Sequence, residues 1–418
     1  MQDGWDEPTT RCNLARGRAQ RTGSRGGAAS RLRTSTAAKA PHRIAVHALI
    51  ATTCLALGPL LAPPAAAQAT WTIAEELRIG SEDAEQYSFS DVRGIAVGSG
   101  GRILVLDSRV QEIRLFDAAG KFVKVVARRG RGPGEIEGAN GMVQAPDGTI
   151  WVNDPPNARF SVFRPDGSFA TQHTIPIRGY GYVWGAMIDT RGRLYDPISV
   201  PDGKGGYTGH FRRVAPSGAV LDTIAAPTCQ SGASGAPRSV WSAESKTPRA
   251  RMMMTVPFTP TMQRASDARG FVWCTPSAVY HVARIRLERG DTVAVIDRNV
   301  TGPPVTAAER EAAIRRADSA FKRYETVDAD YSDIPKVKPV IEALDVDDAG
   351  RLWVRRATSD AASTTFDVFD ETGKLLATAR APFRTSAFWH PIIRGDVMYT
   401  VALDADDVPN VVRARIKR

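Results

Sequence analysis

Two stretches of this chain combine residue types that can hold a ligand. Arg129-Gly-Arg-Gly-Pro-Gly-Glu135 sets arginines in a glycine-rich backbone, which can cradle an anion through N–H groups and guanidinium charge. Arg178-Gly-Tyr-Gly-Tyr-Val-Trp184 interleaves rings with glycines, and Tyr180, Tyr182 and Trp184 could stack on a sugar or an aromatic ligand. With Arg109, in Asp107-Ser-Arg109, the binding candidates are therefore Arg109, Arg129, Arg131, Glu135, Tyr180, Tyr182 and Trp184. The bland alternative is a tight chain crossing for the glycines and core packing for the rings. The glycines follow one strand-like segment and lead into another, with Pro133 interrupting the run. That arrangement is neither a P-loop nor a dinucleotide fingerprint, both of which need a helix start.

Reactive constellations are sparse. His-Glu-x-x-His and Gly-x-Ser-x-Gly do not occur, and no cofactor or metal site is expected from the motifs. Asp345-Val-Asp-Asp348 lacks the later bidentate glutamate of an EF-hand, with Arg356 in that place, and reads as a hairpin turn. Met252-Met-Met254 reads as packing. His173, His210, His281 and His390 are far apart in sequence, with His210 and His281 expected on outer strands, so the four read as scattered residues. Cys229 and Cys274 are an even pair in a chain with an export signal, which makes them a candidate disulfide, with two buried free thiols as the alternative.

The charge balance points to export. The 418 residues carry 55 Lys and Arg against 45 Asp and Glu, a formal +10. Six of those charges sit in residues 1–69, which hold nine bases and three acids, so the remainder gives no bulk reason to bind nucleic acid. Within that leader the apolar run Ile44–Ala62 follows Lys39 and Arg43 and ends in Ala67-Gln68-Ala69, the three regions of a secretory signal peptide with cleavage after Ala69. Pro59, Pro63 and Pro64 count against a retained anchor, and Thr52-Thr53 before Cys54 is not a lipobox. The residues before the apolar run read as a disordered leader. The expected product is exported, periplasmic or extracellular, monomeric and without a membrane span.

Self-similarity then sets the architecture that must position the candidates. Gly101-Arg-Ile-Leu-Val-Leu-Asp107 and Gly148-Thr-Ile-Trp-Val-Asn-Asp154 lie 47 residues apart, and the same offset maps Phe116 onto Phe163, Gly120 onto Gly167 and Phe122 onto Phe169. A turn residue followed by three strand residues, the third bulky, recurs at Gly192–Tyr195, Gly270–Trp273, Gly350–Trp353 and Asp396–Tyr399. Each unit reads as four short strands, as in Gly94–Val97, Arg102–Asp107, Glu112–Asp117 and Lys121–Arg128. Six such units predict an all-β, six-bladed β-propeller over residues 70–418. The copies start 47, 44, 78, 80 and 46 residues apart, and the two long gaps predict insertions. One, at about 230–255, reads as an irregular loop. The other, at about 304–338, carries the capping box Thr306-Ala-Ala-Glu309 and a short helix. A degenerate seventh blade within 230–262 is the alternative. The last unit supplies three strands, at 388–393, 397–403 and 411–417, so the orphan strand Trp71–Ile79 is expected to complete it and close the ring.

This pattern resembles the six-bladed propellers related to NHL repeats, and Arg129–Glu135, Thr306–Arg310 and Asp407–Arg413 are similar to segments of an exported bacterial group of them. The resemblance implies the fold but transfers no activity or catalytic motif. In a propeller the second-to-third-strand loops and the blade-to-blade connections share one rim, which would collect Asp107–Arg109, Asp154–Asn157, residues 129–135 and 178–184. Asp107 and Asp154 occupy equivalent positions, which favours turn capping for both. The expected function is a binding or interaction module for a small molecule, glycan or protein on that loop face. The alternative is a metal-dependent hydrolase or lyase at the channel mouth, similar to lactonase or amidating-lyase propellers. That alternative needs polar residues on the central strands, at about 141–145, 185–189, 261–267, 341–347 and 388–393, where the chain is mostly apolar apart from Asp189, Asp267, Glu342 and His390.

Overall fold

The computed structural model describes residues 69–81, 83–175, 184–203, 207–228, 239–246, 249–360, 362–386 and 389–418. The leader's apolar run, Arg178 to Tyr182 and Cys229 lie outside the described residues.

The recurring glycines explain the strand order. Gly101, Gly148, Gly192, Gly270 and Gly350 all have φ between +75° and +92°, and Gly120, Gly167, Gly218, Gly290 and Gly373 have φ between +71° and +90°. The first set reverses the chain between the first and second strands of a blade, and the second set does so between the third and fourth. Blade one is Val92–Val97, Ile103–Asp107, Glu112–Phe116 and Phe122–Ala127; blade two is Gly141–Gln144, Ile150–Asp154, Arg159–Phe163 and Phe169–Thr174. Blade three is Met187–Ile188, Leu194–Pro201, Tyr207–Val214 and Val220–Ala225; blade four is Gln263–Asp267, Phe271–Thr275, Tyr280–Arg286 and Thr292–Arg298. Blade five is Ile341–Val346, Leu352–Arg356, Thr364–Phe369 and Leu375–Ala381. First strands of neighbouring blades approach one another, so they line the centre.

Blade six closes the ring as expected. Ala69–Ile79 pairs antiparallel with Pro409–Lys417, which pairs in turn with Val397–Leu403. The N-terminal strand also runs parallel to Leu375–Ala381 over Ala69–Thr72, joining blades five and six into one nine-stranded sheet. The inner strand of blade six is broken. Arg384–Thr385 pairs with Ala402–Leu403 and Ile392–Arg394 with Val397–Tyr399, and the described residues between them, Ser386 and Trp389 to Pro391, form an excursion outside the pairing.

The bulky third position of the repeat forms the interblade core. Trp151, Tyr195, Trp273, Trp353 and Tyr399 are all buried, and Trp151 packs with Phe160, Ile188, Leu194 and Val214 across blades two and three.

One expectation needs correction. The first insertion is not an irregular loop: Val240–Lys246 and Arg249–Thr255 form a hairpin, and Thr326–Asp328 from the second insertion adds a third strand. Trp241, Ala243, Met252 and Met254 share the face that packs on Ala317 and Phe321 of the helix Ala307–Phe321, so alternation in a short apolar run drives the hairpin. The two insertions are therefore one layered substructure of three strands and a helix, not a seventh blade. The capping box at Thr306 and Glu309 forms as expected.

Candidate functional site

The predicted glycine-rich segment is a closed chain crossing. Gly130 N donates to Ile136 O, Gly132 N to Glu135 Oε2, Ile136 N to Arg128 O, and the Glu137 and Gly138 amides to the Asp154 carboxylate. Those commitments use the amides that an anion cradle would have offered. A Cβ at Gly138 would lie 2.3 Å from Pro156, so the glycine is needed for this close approach. The organiser is Arg159, buried in the third strand of blade two, which donates to the carbonyls of Arg131, Gly132 and Glu135. Sequence reasoning missed it because an arginine in a strand reads as a surface residue. Asp154 and Asp107 cap equivalent turns; Asp107 accepts from the Ser90, Asp91 and Arg109 amides. Arg109, Arg129 and Glu135 are exposed, and Arg131 pairs with Glu137. Trp184 stacks on Phe160 with centroids 5.3 Å apart and donates Nε1 to Asp196, so its ring is engaged in packing. Burial raises the Asp196 pKa, while Trp184 and Arg212 pull it back. Tyr180 and Tyr182 lie outside the described residues. Cys274 is fully buried and disulfide-bonded.

A different set of polar residues occupies equivalent places on the inner strands, at their loop-face ends. In blade one the register steps from Val92↔Asp107 to Gly94↔Leu106, leaving Arg93 as an extra residue. Blade five steps from Ile341↔Arg356 to Ala343↔Arg355, leaving Glu342 at the equivalent place. In blade two the Asn140 amide and Gly141 both face Asn153. A one-residue bulge thus recurs where the inner strands enter the ring, and bulges re-aim a side chain out of the strand's alternation. Arg93 is held by Asp91, and Asn140 accepts from Asn153 Nδ2. Glu342 makes no hydrogen bond or ion pair with a described residue. It is exposed between buried Ile341 and Ala343, and partial desolvation by the surrounding chain raises its pKa, against the pull of Arg355 and Lys338.

Farther along the same strand, Asp345 Oδ1 accepts from His390 Nδ1 across 2.7 Å. The Asp345 side chain is 1% exposed and that of His390 52%. Asp345 Oδ2 has no hydrogen-bond partner and lies 3.8 Å from Arg355 Nη2. Arg355, itself buried, donates Nη1 to Ser386 O and Nη2 to Trp389 O, so it pins both ends of the excursion that carries His390. Trp389 packs toward blade one against Phe89, Val92 and Ile95, leaving His390 to face blade five. Asp345 is thus no turn residue, correcting the reading of Asp345–Asp348; Asp347 caps that turn, accepting from Arg351 N and Trp353 Nε1. Asp189 and Asp267 also cap turns on the opposite rim.

A family model described as 6-bladed beta-propeller matches residues 82–178. No curated protein matches. Among solved structures, the chain is similar to a putative exported protein from Bacteroides fragilis, at 14% identity and TM-score 0.46, over 83% of this chain and 96% of that one. It is similar to a virginiamycin B lyase from Staphylococcus aureus at 11% identity and TM-score 0.43, over 83% and 99%. A gluconolactonase from Xanthomonas campestris matches at 12% identity and TM-score 0.42, over 79% and 87%. The chain is a six-bladed β-propeller.

Proposed function

We propose that the protein is exported and binds a small polar molecule at the loop-face mouth of its central channel. The observation that supports this reading is the repeated inner-strand bulge, which sets Arg93, Asn140 and Glu342 at the loop-face ends of their strands and leaves Glu342 exposed and uncommitted among the described residues. An exposed carboxylate without a protein partner, re-aimed by a backbone bulge, is available to a ligand. An uncommitted carboxylate favours a hydroxyl-rich or cationic ligand over an anion. Export rests on the leader, and N-terminal sequencing of the protein recovered from the periplasm should begin near Thr70. No helix of the described residues is long and apolar enough to cross a membrane.

The binding test is a titration with a saccharide and polyamine panel followed by NMR. Shifts are expected around Arg93, Asn140 and Glu342, with binding lost in Glu342→Ala and retained in Arg269→Ala on the opposite rim. Binding that survives Glu342→Ala, or that maps to the outer strands, would overturn the assignment. The metal-dependent alternative finds no group of three His, Cys, Asp or Glu suited to an ion among the described residues, so it is not the reading preferred.

A further inference from the structure

We infer that His390, oriented by Asp345, is a general base that hydrolyses an uncharged ester or lactone in the channel. The pair stands three residues beyond Glu342 on the same inner strand, toward the opposite rim, so the inference goes beyond the binding reading of the mouth. Three observations combine. First, the imidazole is half exposed while its carboxylate partner is fully buried, so one ring nitrogen is held and the other is available to a ligand. Nε2 makes no hydrogen bond among the described residues. A buried carboxylate on Nδ1 fixes the tautomer that presents Nε2 as the proton acceptor and stabilises the imidazolium once formed. Second, the pair is built by tertiary structure. It joins an inner strand of blade five to an excursion of blade six, and Arg355 fixes the excursion through two backbone carbonyls. Third, His390 lies between the two pieces of the interrupted inner strand of the last blade, outside the regular pairing of the sheet.

Charge sets the substrate class. Arg355 is the charged group that the structure sets beside the pair, and Glu342 stands three residues before Asp345 on the same strand, within the field of Arg355 and Lys338. Arg355 is spent on Ser386, Trp389 and Asp345, and Lys338 is paired with Glu309. No uncommitted cation is therefore offered to a phosphate or sulfate ester, and the carboxylates repel an anion. A neutral carbonyl electrophile fits. In the step, His390 Nε2 takes a proton from water as the water oxygen bonds to the carbonyl carbon. The acyl C–O bond then breaks, and the proton on His390 passes to the leaving alkoxide oxygen. Ester and water become acid and alcohol, and His390 returns to its starting state. His390 is the catalytic residue; Asp345 is a positioning residue.

The experiment uses the mature chain with 4-nitrophenyl acetate and dihydrocoumarin. Turnover above buffer is expected, falling about 10²–10⁴-fold in His390→Ala and recovering partly when free imidazole is added, a rescue that a structural role would not produce. His390→Gln keeps the side-chain bulk should alanine disturb the excursion. His281→Ala controls for nonspecific imidazole chemistry and should match the wild type. Asp345→Asn should lower kcat more than it raises KM and displace the pH profile. Absence of wild-type turnover on both probes, or equal turnover in His390→Ala, would overturn the inference. Saccharide or polyamine binding that persists in His390→Ala would leave the binding reading standing, so the two fail separately.

Discussion

The molecule contains two His–Asp pairs of nearly equal length in different settings. His281 Nδ1 lies 2.6 Å from Asp297 Oδ1, and His390 Nδ1 lies 2.7 Å from Asp345 Oδ1. The first pair joins directly opposed residues on the third and fourth strands of blade four, where the sheet register alone brings them together. The Asp297 side chain is 72% exposed, so water competes for every hydrogen bond and the pair contributes about 0–1 kcal/mol. The second pair spans 45 residues and two blades, and its carboxylate is shut away from solvent. Equal geometry therefore does not mean equal chemistry: burial of one partner is what gives the other a fixed orientation. In this ring the outer strands make pairs by repetition, and the inner strands make a site where the repetition breaks.

The most severe test of that contrast removes the closure. Deleting residues 70–80 strips the outer strand from blade six and its parallel contact with blade five, including buried Trp71, Ile73 and Ile79. Loss of a single cooperative thermal transition is the expected result, because closing the ring protects the sheet edges on both sides of the inner pair. An unchanged unfolding curve would show that the inner pair does not depend on closure. A narrower cut separates the pairs themselves. Asp345→Ala leaves the buried Arg355 guanidinium without its carboxylate and should cost about 2–4 kcal/mol in denaturant unfolding. Asp297→Ala should fall within about 0.5 kcal/mol of wild type. Similar losses in both variants would erase the distinction drawn from burial.

The regular parts of the ring were legible in the sequence, and the reason is local. Gly148 and Gly167 force turns whose geometry depends on a few neighbouring residues, so the repeat at Gly101–Asp107 and Gly148–Asp154 carries its structure with it. Asp107 and Asp154 could be read as turn caps for the same reason. The mouth was not legible, because each of its features depends on residues distant in sequence. A bulge such as that at Glu342 is a one-residue mismatch between two strands and leaves no periodic trace. Arg159 and Arg355 look like surface arginines until the carbonyls they collect are folded around them. The hairpin at 240–255 had a readable alternation, Trp241 and Ala243 against Ser242 and Glu244, obscured by the Gly- and Ser-rich segment before it.

The smallest predicted effect concerns the two glutamates that mark mouth and rim. Desolvation raises the Glu342 pKa above its usual 4.5, whereas Arg131 lowers that of Glu137. A raised carboxyl pKa means that the native state binds the proton more tightly than the unfolded chain does, so stability is lost as pH rises from about 4.5 through the folded value. Glu342→Gln removes that penalty and should raise Tm at pH 7 by on the order of 1–2 °C, with the gain vanishing at pH 4 and below. The lowered pKa of Glu137 has the opposite sign. Its contribution is present above the usual value and lost as pH falls through the folded one, so Glu137→Gln should lower Tm slightly at pH 7 and match wild type in acid. Differential scanning calorimetry at both pH values checks the crossing. A stabilised Glu342→Gln that no longer binds ligand would show the mouth holding its carboxylate at the expense of stability, as a binding site does and a packing position does not. A destabilised Glu342→Gln at pH 7 would instead place Glu342 among the structural residues of blade five, alongside Asp347 and its turn.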